Sequence, residues 1–478
     1  MTRPAWLPAL ALAVSAVLVA PDAGANGRSP STSTIHFERG NEQNIAAGMT
    51  FGLLLSSDGG ATWQWMCEAA VGYGGTYDPS YAYSHSGAIF ATTFDGLKVN
   101  RNGCTFDAIP ATTCSSPTHC TFVSVDTTDG SDDFFYAAAD PKDSQIYKSV
   151  DDGSSFLAPP ADPGQPNDWW ESLQTAPSNN ARVYATGYRT MNGVPKVFLL
   201  FRSDDGGSNF VPMAGGSNLT TIESSIIDIA DIDPNDPDTM YVTVNPQAIT
   251  QETTDAGIVE NAVYGLWKTT DGGAHFTQIL TSDSQHTNDL KIAFVARKDG
   301  DLVAGTQVDG AQVSHDKGSS WEPLAGSPHI NCLTENGSGE VWACTLNYGT
   351  KVLPSDDAGI MKTTDLATWT KVLRYQDIAG PVECPDAQFG SNAQQDQCIA
   401  DEWCTLKTTL LITSTEVDCA LPADGAPVDA PPVKLGGGGG GGCCDGAGGG
   451  SVPGVLAVSM LVAMIVLRRR DGTARQAR

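Results

Sequence analysis

The stretch Ser56-Ser57-Asp58-Gly59-Gly60-Ala61-Thr62-Trp63 decides how this chain is read, because it returns along the sequence at regular distance. It comes back as SVDDGSSF (149–156), SDDGGSNF (203–210), TTDGGAHF (269–276) and SHDKGSSW (314–321), giving five copies of Ser/Thr-x-Asp-x-Gly-x-x-aromatic. Two weaker copies complete the series. VNRNGCTF (99–106) puts Arg101 at the Asp position, and TTDLATW (363–369) is one residue short and lacks the Gly. The third positions stand at 58, 101, 151, 205, 271, 316 and 365, so the spacing runs 43, 50, 54, 66, 45 and 49 residues. That period fits one four-stranded propeller blade.

Each unit repeats an order of apolar run, polar turn, second run, third run entering the motif and aromatic run leaving it. The sixth shows it most plainly, with 290–296, 301–306, 311–314 and 321–324. The alternation is that of strands. The motif itself reads as a hairpin loop folded around its own Asp, whose carboxylate accepts backbone N–H bonds while Gly takes the φ > 0 position. Ser or Thr at position one adds a local hydrogen bond, and the aromatic at position eight starts the outgoing strand and buries apolar area. The expected fold is all-β: a single propeller of about seven four-stranded blades.

These residues resemble the Asp-box (BNR) repeat family shared by sialidases, sortilin-like receptors, xyloglucanases and photosystem assembly factors, over roughly residues 35 to 375. The resemblance implies that the boxes sit on the rim away from the ligand face. Asp58, Asp151, Asp205, Asp271, Asp316 and Asp365 are then structural, and fold alone leaves activity open.

Composition narrows the partners. The formal net charge is −28 with 27 Lys and Arg against 55 Asp and Glu, so no cationic surface is expected for nucleic acid. The His and Cys residues show no zinc-ligand spacing, and no metal or other cofactor is expected. At the N-terminus Arg3, an apolar run from 5 to 20 and Ala23-Gly24-Ala25 read as a signal peptide over 1–25. Export permits disulfides, and Cys332 with Cys344 is the expected pair, since Asn336-Gly337-Ser338-Gly339 reads as a turn that sets them on adjacent strands.

The propeller is placed at 35–378 and a Cys-rich segment, too short for a blade and read as a small disulfide-stapled cap, at 379–419. A Pro/Gly-rich linker follows over 420–451 and contains Cys443-Cys444. The apolar stretch 452–467 reads as a transmembrane segment and 468–478 as a basic cytoplasmic tail. Gly run, Cys, short apolar helix and terminal Arg cluster together resemble the MYXO-CTERM sorting tails of myxobacteria. That resemblance implies processing and lipid attachment at Cys443 or Cys444. A plain helix anchor is the alternative, and either places the propeller outside the cell.

A sialidase needs an arginine cluster to clamp a carboxylate, yet the F/Y-R-I-P motif is absent and only Arg39, Arg101, Arg182, Arg189, Arg202, Arg297 and Arg374 are candidates. A neutral-sugar hydrolase needs a carboxylate pair, which 55 acids cannot single out. Asp228 to Asp238 reads as a Pro-rich loop between strands rather than a calcium site. Aromatics outside the motif are the better sign of binding: Tyr77 and Tyr81 in the second unit, and Trp169-Trp170, which the preceding Asn167-Asp168 places on an exposed loop. The expected function is a monomeric, non-catalytic cell-surface propeller binding a protein or glycan; the alternative is an extracellular glycoside hydrolase.

Overall fold

The computed structural model describes residues 28–419 apart from 75–77, 95, 110–121, 128–133, 139–144, 157–163, 166–167, 192–193, 216–218, 220–224, 255–256, 285–291, 351–352 and 416–418. The segment 1–25, Tyr77, Cys443-Cys444 and the apolar stretch 452–467 lie outside these. Among the described residues no helix is long and apolar enough to cross a membrane.

The chain is an all-β propeller. The first sheet comprises β1 (Thr32–Phe37), β2 (Ile45–Met49), β3 (Gly52–Ser56) and β4 (Gln64–Met66). The second comprises β5 (Tyr81–Tyr83), β6 (Ile89–Thr93), β7 (Gly96–Asn100) and β8 (Asp107–Ala108), and the third β9 (Phe122–Thr127), β10 (Phe134–Ala138) and β11 (Ile146–Ser149). The fourth comprises β12 (Asp168–Thr175), β13 (Val183–Met191), β14 (Val194–Ser203) and β15 (Val211–Pro212). The fifth is β16 (Ile226–Ile232), β17 (Met240–Thr254), β18 (Gly257–Thr269) and β19 (Thr277–Ser284). The sixth is β20 (Ala293–Ala296), β21 (Leu302–Thr306), β22 (Gly310–Ser314) and β23 (Glu322–Pro323), and the last β24 (Cys332–Glu335), β25 (Val341–Cys344), β26 (Ile360–Thr363) and β27 (Thr370–Leu373). Six sheets are complete blades of four or more strands, and the β9–β11 sheet shows three among the described residues. Each is an antiparallel meander whose first strand lies innermost, and these first strands touch in a ring from β1 through β5, β9, β12, β16 and β20 to β24 and back to β1.

The motif loops join the third strand to the fourth. Ser56 Oγ donates to Asp58 Oδ1 at 2.8 Å and accepts from Gly60 N at 2.9 Å, while Thr62 N donates to Asp58 Oδ1 at 2.9 Å and Thr62 Oγ1 to Oδ2 at 2.7 Å. The same bonds recur around Asp151, Asp205, Asp271 and Asp316, with Ser155, Asn209, His275 and Ser320 as the position-seven side chain. In the 99–106 loop the register differs from the sequence reading. Asn102, not Arg101, takes the Asp place, its Oδ1 accepting from Cys104 N and Thr105 N, while Asn100 takes the Ser place. An Asn amide oxygen supplies the same acceptor as a carboxylate in an Asx turn, which a search for Asp alone misses.

Each loop also packs on the sheet before it. Gly318 has φ +92°, and a Cβ there would lie 2.9 Å from Ile279 of β19; Gly60 has φ +89° and a Cβ would lie 2.8 Å from Val372 of β27. Glycine is required twice over, by the left-handed backbone and by the close approach. Basic side chains reinforce the contact: Arg101, Arg202 and Lys268 donate to the position-four carbonyls of the next loops, at Asp152, Gly272 and Lys317.

The segment after the last blade, expected as a small disulfide-stapled cap with its pairings open, is tied to the first two blades. A two-residue strand β28 (Gly380–Pro381) pairs in parallel with β4, extending the first sheet to five strands. Cys398 is bonded to Cys67 beyond β4, Cys384 to Cys104 in the second sheet's motif loop, and only Cys404–Cys419 lies within the segment. Buried Gln394 on a π-helical turn (Gln394–Glu402) donates to Trp65 O at 3.0 Å and Val382 O at 3.1 Å, and Trp403 packs on Trp65. Cys332 and Cys344 face each other in register on β24 and β25 and are disulfide-bonded. Replacing Cys67 and Cys398 by Ala is expected to cost about 2–5 kcal/mol, because the bond closes a chain segment of 331 residues. Denaturant unfolding checks this; the 12-residue Cys332–Cys344 bridge should cost less.

Candidate functional site

The seven inner strands enclose a central channel of about 620 Å³. Its wall carries His36, Tyr81, Asp126, Gln174, Asp231 and Glu335, with Arg39, Glu42 and Lys298 at the end where the first and second strands of the blades are joined. That end is the one on which the motif loops lie, since both kinds of turn fall on the same side of an antiparallel meander.

The channel carboxylates are held by neighbouring blades. Asp126 Oδ2 on β9 accepts from Thr175 N on β12 at 2.6 Å, and Asp231 Oδ2 on β16 accepts from Ala296 N on β20 at 2.8 Å while its Oδ1 accepts from Ile232 N. Glu335 on β24 accepts from Lys298 N at 2.9 Å and from Arg297 Nε at 3.2 Å. Hydroxyls act alike: Ser124 Oγ accepts from Leu173 N, and Ser172 Oγ from Ile229 N. Inner strands of adjacent blades are not in one sheet, so their backbone N–H groups need partners, and these side chains provide them.

Burial raises both aspartates, Asp126 against an offsetting pull from Arg39, and Asp231 to about 7 despite its two backbone donors. Burial alone pulls His36 down to about 4, so its imidazole is neutral in the physiological range. Its Nε2 is buried and has no hydrogen-bond partner among the described residues, and its ring meets Tyr81 edge-on at 6.2 Å.

The arginines do not converge. Arg182 pairs with Asp204 and Asp238 at 2.6 Å each, Arg297 with Asp299 at 2.7 Å, Arg101 with Asp152 at 2.6 Å, Arg374 with Asp357 at 3.5 Å, and Arg202 with Asp204 at 3.1 Å. Arg39 alone of those singled out stands at the channel without an ion pair among the described residues.

The aromatic candidates are dispersed. Tyr81 is buried in the channel wall. Trp169 and Trp170 lie on β12 and not on an exposed loop, and Trp170 is 1% exposed in the core with Leu173 and Ile146. The strand continues to its start because Asp168, fully buried, takes Arg189 of β13 in a two-point pair at 2.5 and 2.9 Å. Trp169, on the opposite face, is half-buried with its ring nearly parallel to that of Tyr188. Strand alternation would have pointed to that difference between the tryptophans; Tyr188 carried no motif to mark it. The acidic stretch also differs from the loop reading: 228–232 belong to β16 and only 233–239 turn, with Asp233 and Asp236 capping their own backbone.

No family model and no curated protein matches the chain. Among solved structures it is similar to the Niastella koreensis GH74 enzyme (12% identity, TM-score 0.40, covering 73% of this chain and 66% of that one). It is also similar to the extracellular domain of the putative hybrid two-component system BT4673 from B. thetaiotaomicron (12%, 0.42, covering 66% and 37%) and to YCF48 from Cyanidioschyzon merolae (14%, 0.42, covering 66% and 92%).

The position of Asp231 yields a pH signature. Its folded pKa lies above the unfolded value near 4, so the folded state holds the extra proton between the two. Its contribution to stability is therefore full below pH 4 and is lost as pH rises through about 7. Asp231→Asn should remove this slope, on the order of 1–4 kcal/mol across the window, measured as urea midpoints from pH 4 to 8.

Proposed function

We propose that this chain is an exported, non-catalytic Asp-box propeller of seven blades, with β9–β11 as the third, which binds a protein or glycan partner at the surface of a bacterial cell. The observation that carries the non-catalytic reading is the use of the channel carboxylates. Asp126, Asp231 and Glu335 hold backbone N–H groups of the adjacent blade, so moving a proton at any of them disturbs the ring. Ion-pairing of the arginines speaks likewise against a carboxylate clamp. The four disulfides among the described residues fit an oxidising, extracellular compartment. Display through residues 420–478, with Cys443 or Cys444 as the attachment point and 452–467 as the membrane segment, completes the reading.

One observation favours the glycoside hydrolase alternative: burial pushes the Asp231 carboxyl in the channel wall up to about 7, the range in which a general acid works. A broad fluorogenic glycoside screen with the full-length protein decides between them. No turnover is expected; turnover lost in Asp231→Asn or Asp126→Asn would establish an enzyme. For the anchor, Cys443→Ala with Cys444→Ala should release the protein or leave it unprocessed in the membrane, followed by cell fractionation and immunoblot. Unchanged size and location would leave a simple helix anchor in its place.

A further inference from the structure

The contact between the sixth and seventh blades lacks two features that close the contacts just before it in the ring. Arg202 and Lys268, each in the place immediately ahead of its blade's motif, donate to the position-four carbonyls of the next loops at Gly272 and Lys317. The sixth blade has Val313 in that place. The loop it faces, 363–369, also lacks the glycine that elsewhere packs on the preceding blade, as Gly273 does against Met213 and Gly318 against Ile279. Leu366 stands at position four with φ +60°, as Lys317 does with +59°, and its carbonyl accepts no hydrogen bond among the described residues. The aromatic that follows reports the same looser seating. Trp321 Nε1 donates to Ile279 O of the preceding sheet at 2.8 Å, whereas its counterpart Trp369 Nε1 is buried without a partner among the described residues.

What is left between the two blades is a cleft of about 490 Å³ at the motif-loop end. Val313, Leu324 and Leu366, packed in one cluster, form its apolar side. Carboxylates stand along the rest. Asp299 pairs with Arg297 at 2.7 Å, Asp301 with His315 at 2.9 Å, and Asp365 accepts the N–H groups of Ala367 and Thr368 in its own loop. Glu322, exposed on β23, lies near enough for its charge to act on His315 and makes no ion pair among the described residues. Four carboxylates against one guanidinium and one imidazole leave the cleft acidic.

We propose that this cleft receives a lysine or arginine side chain of a protein partner, whose cation takes the place that Arg202 and Lys268 fill from within the chain at the two preceding contacts. The methylene stem lies along Val313, Leu324 and Leu366, and the charged head meets the Leu366 carbonyl and the carboxylates of Asp301 and Glu322. An anionic partner meets repulsion from the same carboxylates and from the net charge of −28, and a neutral one brings no counter-charge. The inference rests on the binding-propeller reading and names the chemistry of its partner.

Fluorescence anisotropy of a labelled peptide, Ala-Leu-Lys-Leu-Ala-Lys-Leu-Ala, with the full-length protein tests it at ~0.15 M salt, where exposed charges more than about 8 Å apart are largely screened. Saturable binding is expected, and the same peptide with both lysines acetylated, which removes their charge, should not saturate. Val313→Arg, which supplies the cation from within the chain, should weaken binding about tenfold or more. Glu322→Gln, on an exposed edge strand, should weaken it a few-fold and keeps the test decisive if the Val313 variant fails to fold. Binding unchanged in these variants would overturn the cleft as the site. Equal binding of the acetylated peptide, or no binding of the unmodified one, would overturn the basic anchor. A dimer in sedimentation that Val313→Arg converts to monomer would put a second copy of the chain in the partner's place. Turnover in the glycoside screen would instead strike the non-catalytic reading, so the two failures are distinguishable.

Discussion

A ring of radial sheets has one place where the chain cannot hold itself together by continuity, and here it falls between β24–β27 and β1–β4. Apart from the two-residue β28, every sheet is made of consecutive strands, so no blade shares its four meander strands across the seam. The inner strands β24 and β1 touch there, Phe37 meets Trp342 edge-on at 5.1 Å, and the first motif loop sets Gly60 against Val372 and Trp342. These contacts are of the same kind as those between other neighbours, yet only at the seam can separation proceed without breaking covalent chain. The segment 379–419 supplies the missing covalent tie: β28 crosses onto β4, and two disulfides with separations of 331 and 280 residues bind it to the first and second blades. By confining the unfolded chain they add most where loops are longest.

The same need to hold radial sheets side by side explains where the charged residues went. Basic residues number only 27, and several of those on the rim donate to the next motif loop or to acids between the blades. The motif carboxylates are satisfied mainly within their own loops, with Asp271 held down at about 2 first by the His275 side chain and then by its backbone. Inside, the acids Asp126, Asp231 and Glu335 perform for the inner strands what hydrogen-bonded ladders perform within a sheet. A scaffold that uses its ionisable groups in this way leaves few of them for chemistry.

Several sequence expectations met a different arrangement for identifiable reasons. Asn167-Asp168 read as a loop, but a buried Asp168 paired to Arg189 carries the strand through both tryptophans. Arg101 occupied the motif's third place by counting, but the loop is a residue shorter and Asn102 serves. The four late cysteines read as stapling a small cap with their partners left open, and two of those partners lie some 300 residues earlier, a distance over which spacing carries no information.

What the sequence determined by itself was everything local. Strand alternation, the turn chemistry of Ser/Thr-x-Asp-x-Gly, the period of the repeat and the Cys332–Cys344 hairpin all depend on residues within about a dozen positions of each other, where backbone sterics and side-chain-to-backbone bonds act without reference to the rest of the chain. Tertiary structure alone decided which sheet follows which across the seam, which acids face the channel, and which of two adjacent tryptophans is core and which is surface. Those outcomes depend on partners brought together by ring closure, and Asp126 and Thr175, or Cys67 and Cys398, become neighbours only once the blades have assembled.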